Sequence, residues 1–292
     1  MLNDAGPTLW AGHHRLDLAA PAIMGVLNLT TDSFSDGGQL LDGSAQALNP
    51  GRLRARAEAM VAAGAAILDL GAESSRPGAE PVAEALEADR IHQALAELAD
   101  LPVILSVDTR RASVADLAID AGATLINDIG GGRDPAMRAR VAGSSAAFCI
   151  MHMQGSPASM QDNPSYVDVV QEVGLFLNRQ VEACEKIGIE RQRLLIDPGF
   201  GFGKTLDHNL TLLRHLDRLI AAVDAVCLVG LSRKRMIGAL TGQPVDQREH
   251  GSVAAALMAV ERGARILRVH DVRPTADALA IWSALREQTA GS

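Results

Sequence analysis

Six side chains able to donate, accept or carry charge, Asn28, Asp108, Asn127, Asp197, Lys234 and His270, each stand at or just beyond the end of a separate apolar run. A single Asp or Asn in such a place is usually a helix cap or turn former. Six of them after six runs are hard to assign to capping alone. Asp108 and Asp197, with Asn127 between them in chain order, make an acceptor-rich set suited to a ligand with several N–H donors. The same two carboxylates would equally serve to bind a metal or to work as acid and base. Arg268 joins Lys234 and His270 near the last two runs, where barrels of alternating strands and helices often hold phosphate. Ser232 and the amides opening the following helix add further anion contacts.

The stretch at 194–205, Leu-Leu-Ile-Asp-Pro-Gly-Phe-Gly-Phe-Gly-Lys-Thr, concentrates this chemistry. Its apolar start reads as the end of a buried strand; Pro198 then stops the ladder, and Gly199, Gly201 and Gly203 let the backbone turn. The ending Gly-Lys-Thr is like a phosphate-binding P-loop, but proline occupies position 198, where that motif needs its opening glycine, so the match fails. In isolation, a tight turn with a capping Asp explains the loop as well as a ligand site does. Phe200 and Phe202 tilt the balance, because the chain has only five Phe. Rings in a predicted surface loop with no core to enter suggest a platform for a flat substrate.

The elements that must position these residues follow from periodicity. Eight apolar runs, at 23–27, 66–70, 103–107, 124–126, 146–151, 194–196, 225–229 and 266–269, recur every ~30–40 residues, the spacing of successive strand–helix units. Helical patterns fall at 52–63, 84–99, up to 121–122, up to about 186, from about 206, and at 275–287. Continuous apolar strands alternating with helices predict an α/β chain folded as a (β/α)8 TIM barrel. A doubly wound open sheet would call for a Gly-x-Gly-x-x-Gly opening after the first strand, and none is there. Residues 7–20 alternate around Trp10, Leu16 and Leu18 and predict a short N-terminal β-hairpin, with His13-His14 as an exposed turn. No low-complexity linker divides the chain, so residues 1–292 read as a single domain with 1–20 as its hairpin extension. The segments 30–38 and 74–78, carrying Phe34 and Arg76, overhang the expected mouth and read as lids.

Composition narrows the class. A net charge of −8 without a basic block argues against nucleic-acid or anionic-membrane partners. Cys149, Cys184 and Cys227 form no Cys-x-x-Cys pair and read as buried free thiols in a reducing compartment. With no basic, apolar leader and no stretch long enough to span a bilayer, a soluble cytoplasmic protein is expected. There are only three lysines, at 186, 204 and 234, and two of them follow predicted strands.

The segment at 24–38, Met-Gly-Val-Leu-Asn-Leu-Thr-Thr-Asp-Ser-Phe-Ser-Asp-Gly-Gly, resembles the first signature of the dihydropteroate synthases. Further matches at 73–79, 106–109, 126–130, 152–155, 197–204, 230–238 and 268–272 follow that family's order across nearly the whole barrel. The chain is similar to a bacterial, single-function member. The resemblance implies condensation of 6-hydroxymethyl-7,8-dihydropterin diphosphate with 4-aminobenzoate, giving 7,8-dihydropteroate and diphosphate in folate biosynthesis. By position it implies that Asp108, Asn127 and Asp197 bind the aminopyrimidine edge of the pterin, and that Lys234 contacts its carbonyl side. Arg268 would flank the ring and reach the diphosphate, His270 and Ser75 would complete the anion site, and Asn28 would ligate Mg²⁺. Phe34, Ser75, Arg76, Pro77, Phe202, Lys234 and Arg235 would frame 4-aminobenzoate. A homodimer, and a role as sulfonamide target, are implied by the resemblance alone.

Departures from the family pattern are Thr31 in place of proline, Ala72 and Ser75 in place of glycine and threonine, and Arg235 in place of serine. Extra residues around 42–49 lengthen the first loop. Two other functions remain to be tested against the structure: a Schiff-base aldolase using Lys204 or Lys234, and a pterin-binding module without turnover.

Overall fold

The computed structural model describes residues 6–30, 40–41, 47–74 and 82–287. Eight strands close into a parallel barrel: β3 (Ala22–Asn28), β4 (Ala65–Gly71), β5 (Ile104–Asp108), β6 (Leu125–Asp128), β7 (Ala147–Met151), β8 (Leu194–Asp197), β9 (Val226–Val229) and β10 (Ile266–Val269). They pair in chain order, and β10 returns to β3 to complete the ring. All eight predicted runs are strands, displaced by no more than a residue or two at their ends.

Side-chain alternation divides each strand between two cores. Outward residues such as Leu68, Leu70, Leu105, Ile126, Ile150 and Ile196 pack in one large cluster with the helices. Inward residues Met24, Ile67, Ile104, Leu125, Cys149, Leu195, Leu228 and Ile266 fill the barrel interior. The expected hairpin is present as β1 (Thr8–Ala11) and β2 (His14–Asp17). Its Leu9 and Ala11, with Leu18 just beyond it, belong to that interior cluster, so the hairpin plugs the barrel at the N-terminal ends of the strands. The C-terminal ends are left as the open mouth, the end at which this architecture builds its sites.

Local chemistry sets the helix starts. Helix α1 (Pro50–Ala62) has proline in its first turn and Asn49 as cap. Helix α2 (Glu84–Leu98) precedes β5, and α3 (Ala112–Asp120) leads to β6. Asp134 caps α4 (Pro135–Ala142), and Asp168 caps the long α5 (Val169–Lys186). Two helices, α6 (Leu206–Arg214) and α7 (Leu216–Val223), follow β8, and two more, α8 (Arg235–Thr241) and α9 (Glu249–Glu261), follow β9. The sequence reading gave no bounds for α4, α7, α8 or α9. Helix α10 (Val272–Glu287) closes the ring. Among the described residues no helix is long and apolar enough to cross a membrane, and all three cysteines are buried and free.

Candidate active site

The inward alternation that fills the barrel continues upward and changes character. Two residues above Ile67, Ile104, Leu125, Leu195 and Ile266 stand Asp69, Ser106, Asn127, Asp197 and Arg268, and Asp108 is two residues above Ser106. Because strand side chains alternate faces, these polar groups all point into the same cup, directly above the apolar plug.

Arg268 is the hub of that layer. Its Nε donates to Asp69 Oδ2 at 2.6 Å, and its Nη2 donates to Asp108 Oδ2 at 2.8 Å. Asp69 is fully buried and also accepts from Ser106 Oγ at 2.6 Å and Asn127 Nδ2 at 3.2 Å. Burial works against the Arg268 charge, but Asp69 and Asp108 outweigh it and raise its pKa. Burial pushes the Asp108 carboxyl up to about 7; Arg268 opposes the rise, while Asp69, Asp128 and Asp197 add to it.

Asp197 lies in reach of the same charges. Burial raises its pKa against the pull of Lys234, and its Oδ1 accepts from Gly199 N at 2.7 Å, which folds the loop back over the strand end. Burial lowers Lys234 to about 8, with Asp197 pulling it back up and Arg268 pushing it further down. The Lys234 ammonium donates to Phe200 O and sits 4.6 Å from the centroid of the Phe202 ring. At the ends of β9 and β10, Ser232 Oγ lies 3.0 Å from His270 Nδ1 and accepts from His270 N at 3.2 Å.

The sequence-predicted residues therefore divide. Asp108, Asn127, Asp197, Lys234 and Arg268 converge, and His270 stands beside them at the rim. Asn28 ends β3, the neighbour of β10 in the ring, and is half-buried. Phe202 is half-buried against Lys234, but Phe200 is fully buried among the outer core residues. The expectation that both rings form a surface platform is thus corrected, since one of them does have a core to enter. Arg235 opens α8 with its side chain exposed. Phe34, Ser75, Arg76 and Pro77, Thr31 and most of the two expected lids lie outside the described residues.

Asp128, inside one of the resembling segments, serves the backbone instead. Its two oxygens accept from Gly130 N at 2.6 Å and Gly132 N at 2.7 Å, shaping the loop after β6. Lys204 is buried, with its Nζ bonded to His152 Nδ1 and Gly199 O. A groove of about 720 Å³ between α5 and α7, lined by Tyr166, Gln171, His208 and Arg218 among others, lies on the outer helical layer and contains none of the strand-end residues.

Over residues 24–270 the chain matches the pterin binding enzyme family. It is 48% identical over 278 residues to the dihydropteroate synthase of Neisseria meningitidis serogroup C, covering 94% of this chain and 96% of that one. The chain belongs to the dihydropteroate synthase family. The crystal structure of Yersinia pestis dihydropteroate synthase with a sulfonamide drug superposes with a TM-score of 0.89 at 43% identity, covering 96% of this chain and 99% of that chain. Burkholderia cenocepacia dihydropteroate synthase complexed with 7,8-dihydropteroate gives a TM-score of 0.86 at 41% identity, covering 98% and 99%.

Within this synthase barrel, Asp69 and Ser106 are the inward-facing polar residues that strand-end reasoning passed over, because neither sits at a strand end. A signal was nonetheless present: a carboxylate inside the apolar run at 66–70 has to find a partner in the core. The donor set also bears on a metal. Among the described residues no group of three or more His, Cys, Asp or Glu side chains could hold one. Asn28, half-buried at the end of β3, offers a single carbonyl oxygen.

Proposed function

We propose that this protein condenses (7,8-dihydropterin-6-yl)methyl diphosphate with 4-aminobenzoate, releasing 7,8-dihydropteroate and diphosphate. The supporting observation is the inward cluster in which Asp108, Asn127 and Asp197 offer acceptors beside the cations Arg268 and Lys234. An aminopyrimidine presents a row of N–H donors next to a carbonyl, and this cup offers the complementary row. Arg268 bonds to Asp69 and Asp108 in the free protein, and bound pterin takes over Asp108 while Asp69 retains the guanidinium.

The reaction breaks the C–O bond between the pterin methylene and the diphosphate. The electron pair leaves with diphosphate, whose growing negative charge Arg268 and His270 stabilise. Ser232 fixes the imidazole of His270 toward the rim. Asn28 would hold Mg²⁺, which would supply further positive charge to the leaving group. The pterin ring electrons and the carboxylates of Asp108 and Asp197 stabilise the electron-poor methylene. The amine of 4-aminobenzoate then forms the new C–N bond and loses a proton to solvent; it needs position more than activation. Phe202 and Lys234 form one wall of its pocket, and the family resemblance assigns Phe34, Ser75, Arg76, Pro77 and Arg235 to the same substrate.

A homodimer and a cytoplasmic location are part of the proposal. Leu240, Met258, Ile281 and Leu285, between 54% and 67% exposed, stand on α8, α9 and α10 as surface for a second copy. The three free thiols suit a reducing compartment. The functional test is diphosphate release from purified protein. Release that requires both substrates supports the assignment, and release from the pterin substrate at the same rate with and without 4-aminobenzoate refutes it.

A further inference from the structure

The loop at 197–204 contains a buried cation that the reaction above does not use. Lys204 is only 3% exposed. Its Nζ lies 2.9 Å from His152 Nδ1, 3.0 Å from Gly199 O and 3.0 Å from Phe202 O. Burial, reinforced by the charges of Lys204 and Arg133, holds the His152 pKa down to about 2. The imidazole is therefore neutral, and its Nδ1 presents a lone pair to the ammonium. Three N–H donors thus meet three close acceptors, one on the segment after β7 and one at each end of the glycine-rich turn, with His152 O a fourth at 3.5 Å. Burial lowers the Lys204 pKa to about 7, with Asp197 pulling it back up, and the close acceptors favour the ammonium, the only form of lysine with three donors to give.

The turn is seated without slack on that segment. A Cβ on Gly199, whose φ is +68°, would fall 1.8 Å from His152 O, and one on Gly203 would fall 2.6 Å from Gln154 O. Such overlaps with backbone atoms leave no room for the turn to be rebuilt around a side chain. Tyr166 adds an outer tie by donating from its hydroxyl to Gly203 O at 2.8 Å. The opposite side of the same turn meets the substrate machinery. Phe200 O takes a hydrogen bond from Lys234 Nζ, and the Phe202 ring lies under that ammonium.

We propose that Lys204 is a positioning residue for the condensation: its ammonium ties the 199–203 turn to His152 and thereby sets where Phe202 and Lys234 stand for 4-aminobenzoate. This rests on the function proposed above. It differs from a role in stability alone, because the turn carries Phe202 and, through Phe200 O, the acceptor that holds Lys234, the two groups proposed as one wall of the amine's pocket.

The test is steady-state kinetics on the full-length protein with Lys204→Met, which keeps the apolar stem and removes every donor, and Lys204→Gln, which restores two. The KM for 4-aminobenzoate should rise about tenfold in Lys204→Met with kcat within about threefold, the signature of lost binding rather than lost chemistry. Lys204→Gln should fall between Lys204→Met and wild type, and the KM for the pterin diphosphate should rise by less than that for 4-aminobenzoate in both. A purely structural lysine would lower kcat through the folded fraction and leave both KM values unchanged, and that result overturns the proposal. If Lys204→Met does not fold, Lys204→Gln decides alone, with an unchanged KM counting against positioning. Failure of both variants to fold would also overturn it, by making Lys204 a folding requirement. A wild-type protein without two-substrate diphosphate release would instead overturn the functional assignment, and the proposal with it.

Discussion

Asp69 holds Arg268 from inside the barrel, accepting its Nε at 2.6 Å, while Asp108 takes Nη2 of the same guanidinium at 2.8 Å from the side of the mouth. The two carboxylates have different environments: the Asp69 side chain has no exposure, whereas that of Asp108 is 15% exposed. One is an anchor and the other is open to a ligand. Asp69 also receives Ser106 and Asn127, so a single buried group aligns both a cation and a carboxamide of the cup.

Removing that anchor should affect stability and rate together. In Asp69→Asn the amide cannot neutralise a guanidinium whose side chain is only 22% exposed. Breaking one side of a buried pair costs about 3 kcal/mol, readable as a shift in the denaturant midpoint with an unchanged slope. Turnover of the folded fraction should fall by at least about tenfold through misplacement of Arg268. A variant with wild-type kcat would show that Arg268 is oriented by Asp108 alone.

The raised pKa of Asp108 gives a pH dependence with a definite sign. Burial favours the protonated form, so the folded pKa of about 7 lies above the ordinary value of 3.8. Between these values the folded state holds a proton that the unfolded state has lost. The group therefore disfavours the fold above about 7, and this penalty is relieved as the pH falls through 7 toward 4. If Asp108 reads the pterin as proposed, binding has the opposite requirement, because only the carboxylate accepts two donors. Affinity should weaken by about tenfold per pH unit below 7, measured by calorimetry between pH 6 and 8. Asp108→Asn should remove that dependence.

Ser232→Ala tests the rim. Loss of the hydroxyl that meets His270 Nδ1 removes a hydrogen bond of about 1 kcal/mol, or roughly a fivefold effect. If His270 acts on the leaving diphosphate as its charge develops, the decrease should appear in kcat. An effect confined to KM would place His270 in ground-state binding only.

Chelation tests the metal. EDTA should stop turnover and added Mg²⁺ restore it, and diphosphate alone should bind more tightly with Mg²⁺ than without it. Asn28→Ala should reduce that Mg²⁺-dependent gain in calorimetry. Turnover that is unaffected by chelator would remove Mg²⁺ from the account.

Much of the barrel was legible because buried strands write themselves as continuous apolar runs. Asp108, Asn127, Asp197 and His270 were legible because polar residues cluster where those runs end. Asp69 was not, because strand-end reasoning overlooks a carboxylate in the middle of a strand; the period-two alternation that also places Ile67 inward would have exposed it. Phe200 and Phe202 look alike in sequence, yet backbone turns at Gly199 and Gly201 send one ring into the core and leave the other against Lys234. Helix α9 was hard to bound because its apolar residues, as in Ala-Ala-Ala-Leu-Met-Ala-Val, run around its whole circumference instead of marking a stripe. Nor does spacing reveal the buried role of Lys204, since its partner His152 stands 52 residues away in the chain.

The most direct test of the central claim is calorimetric titration of the pterin diphosphate into wild-type protein and into Asp197→Asn. If the inward carboxylates form the floor that reads the aminopyrimidine, the variant should keep its fold by circular dichroism and lose at least about a hundredfold in affinity, the cost of ~3 kcal/mol for a charged hydrogen-bond pair left unmatched. Near-normal affinity in a folded Asp197→Asn would contradict the account.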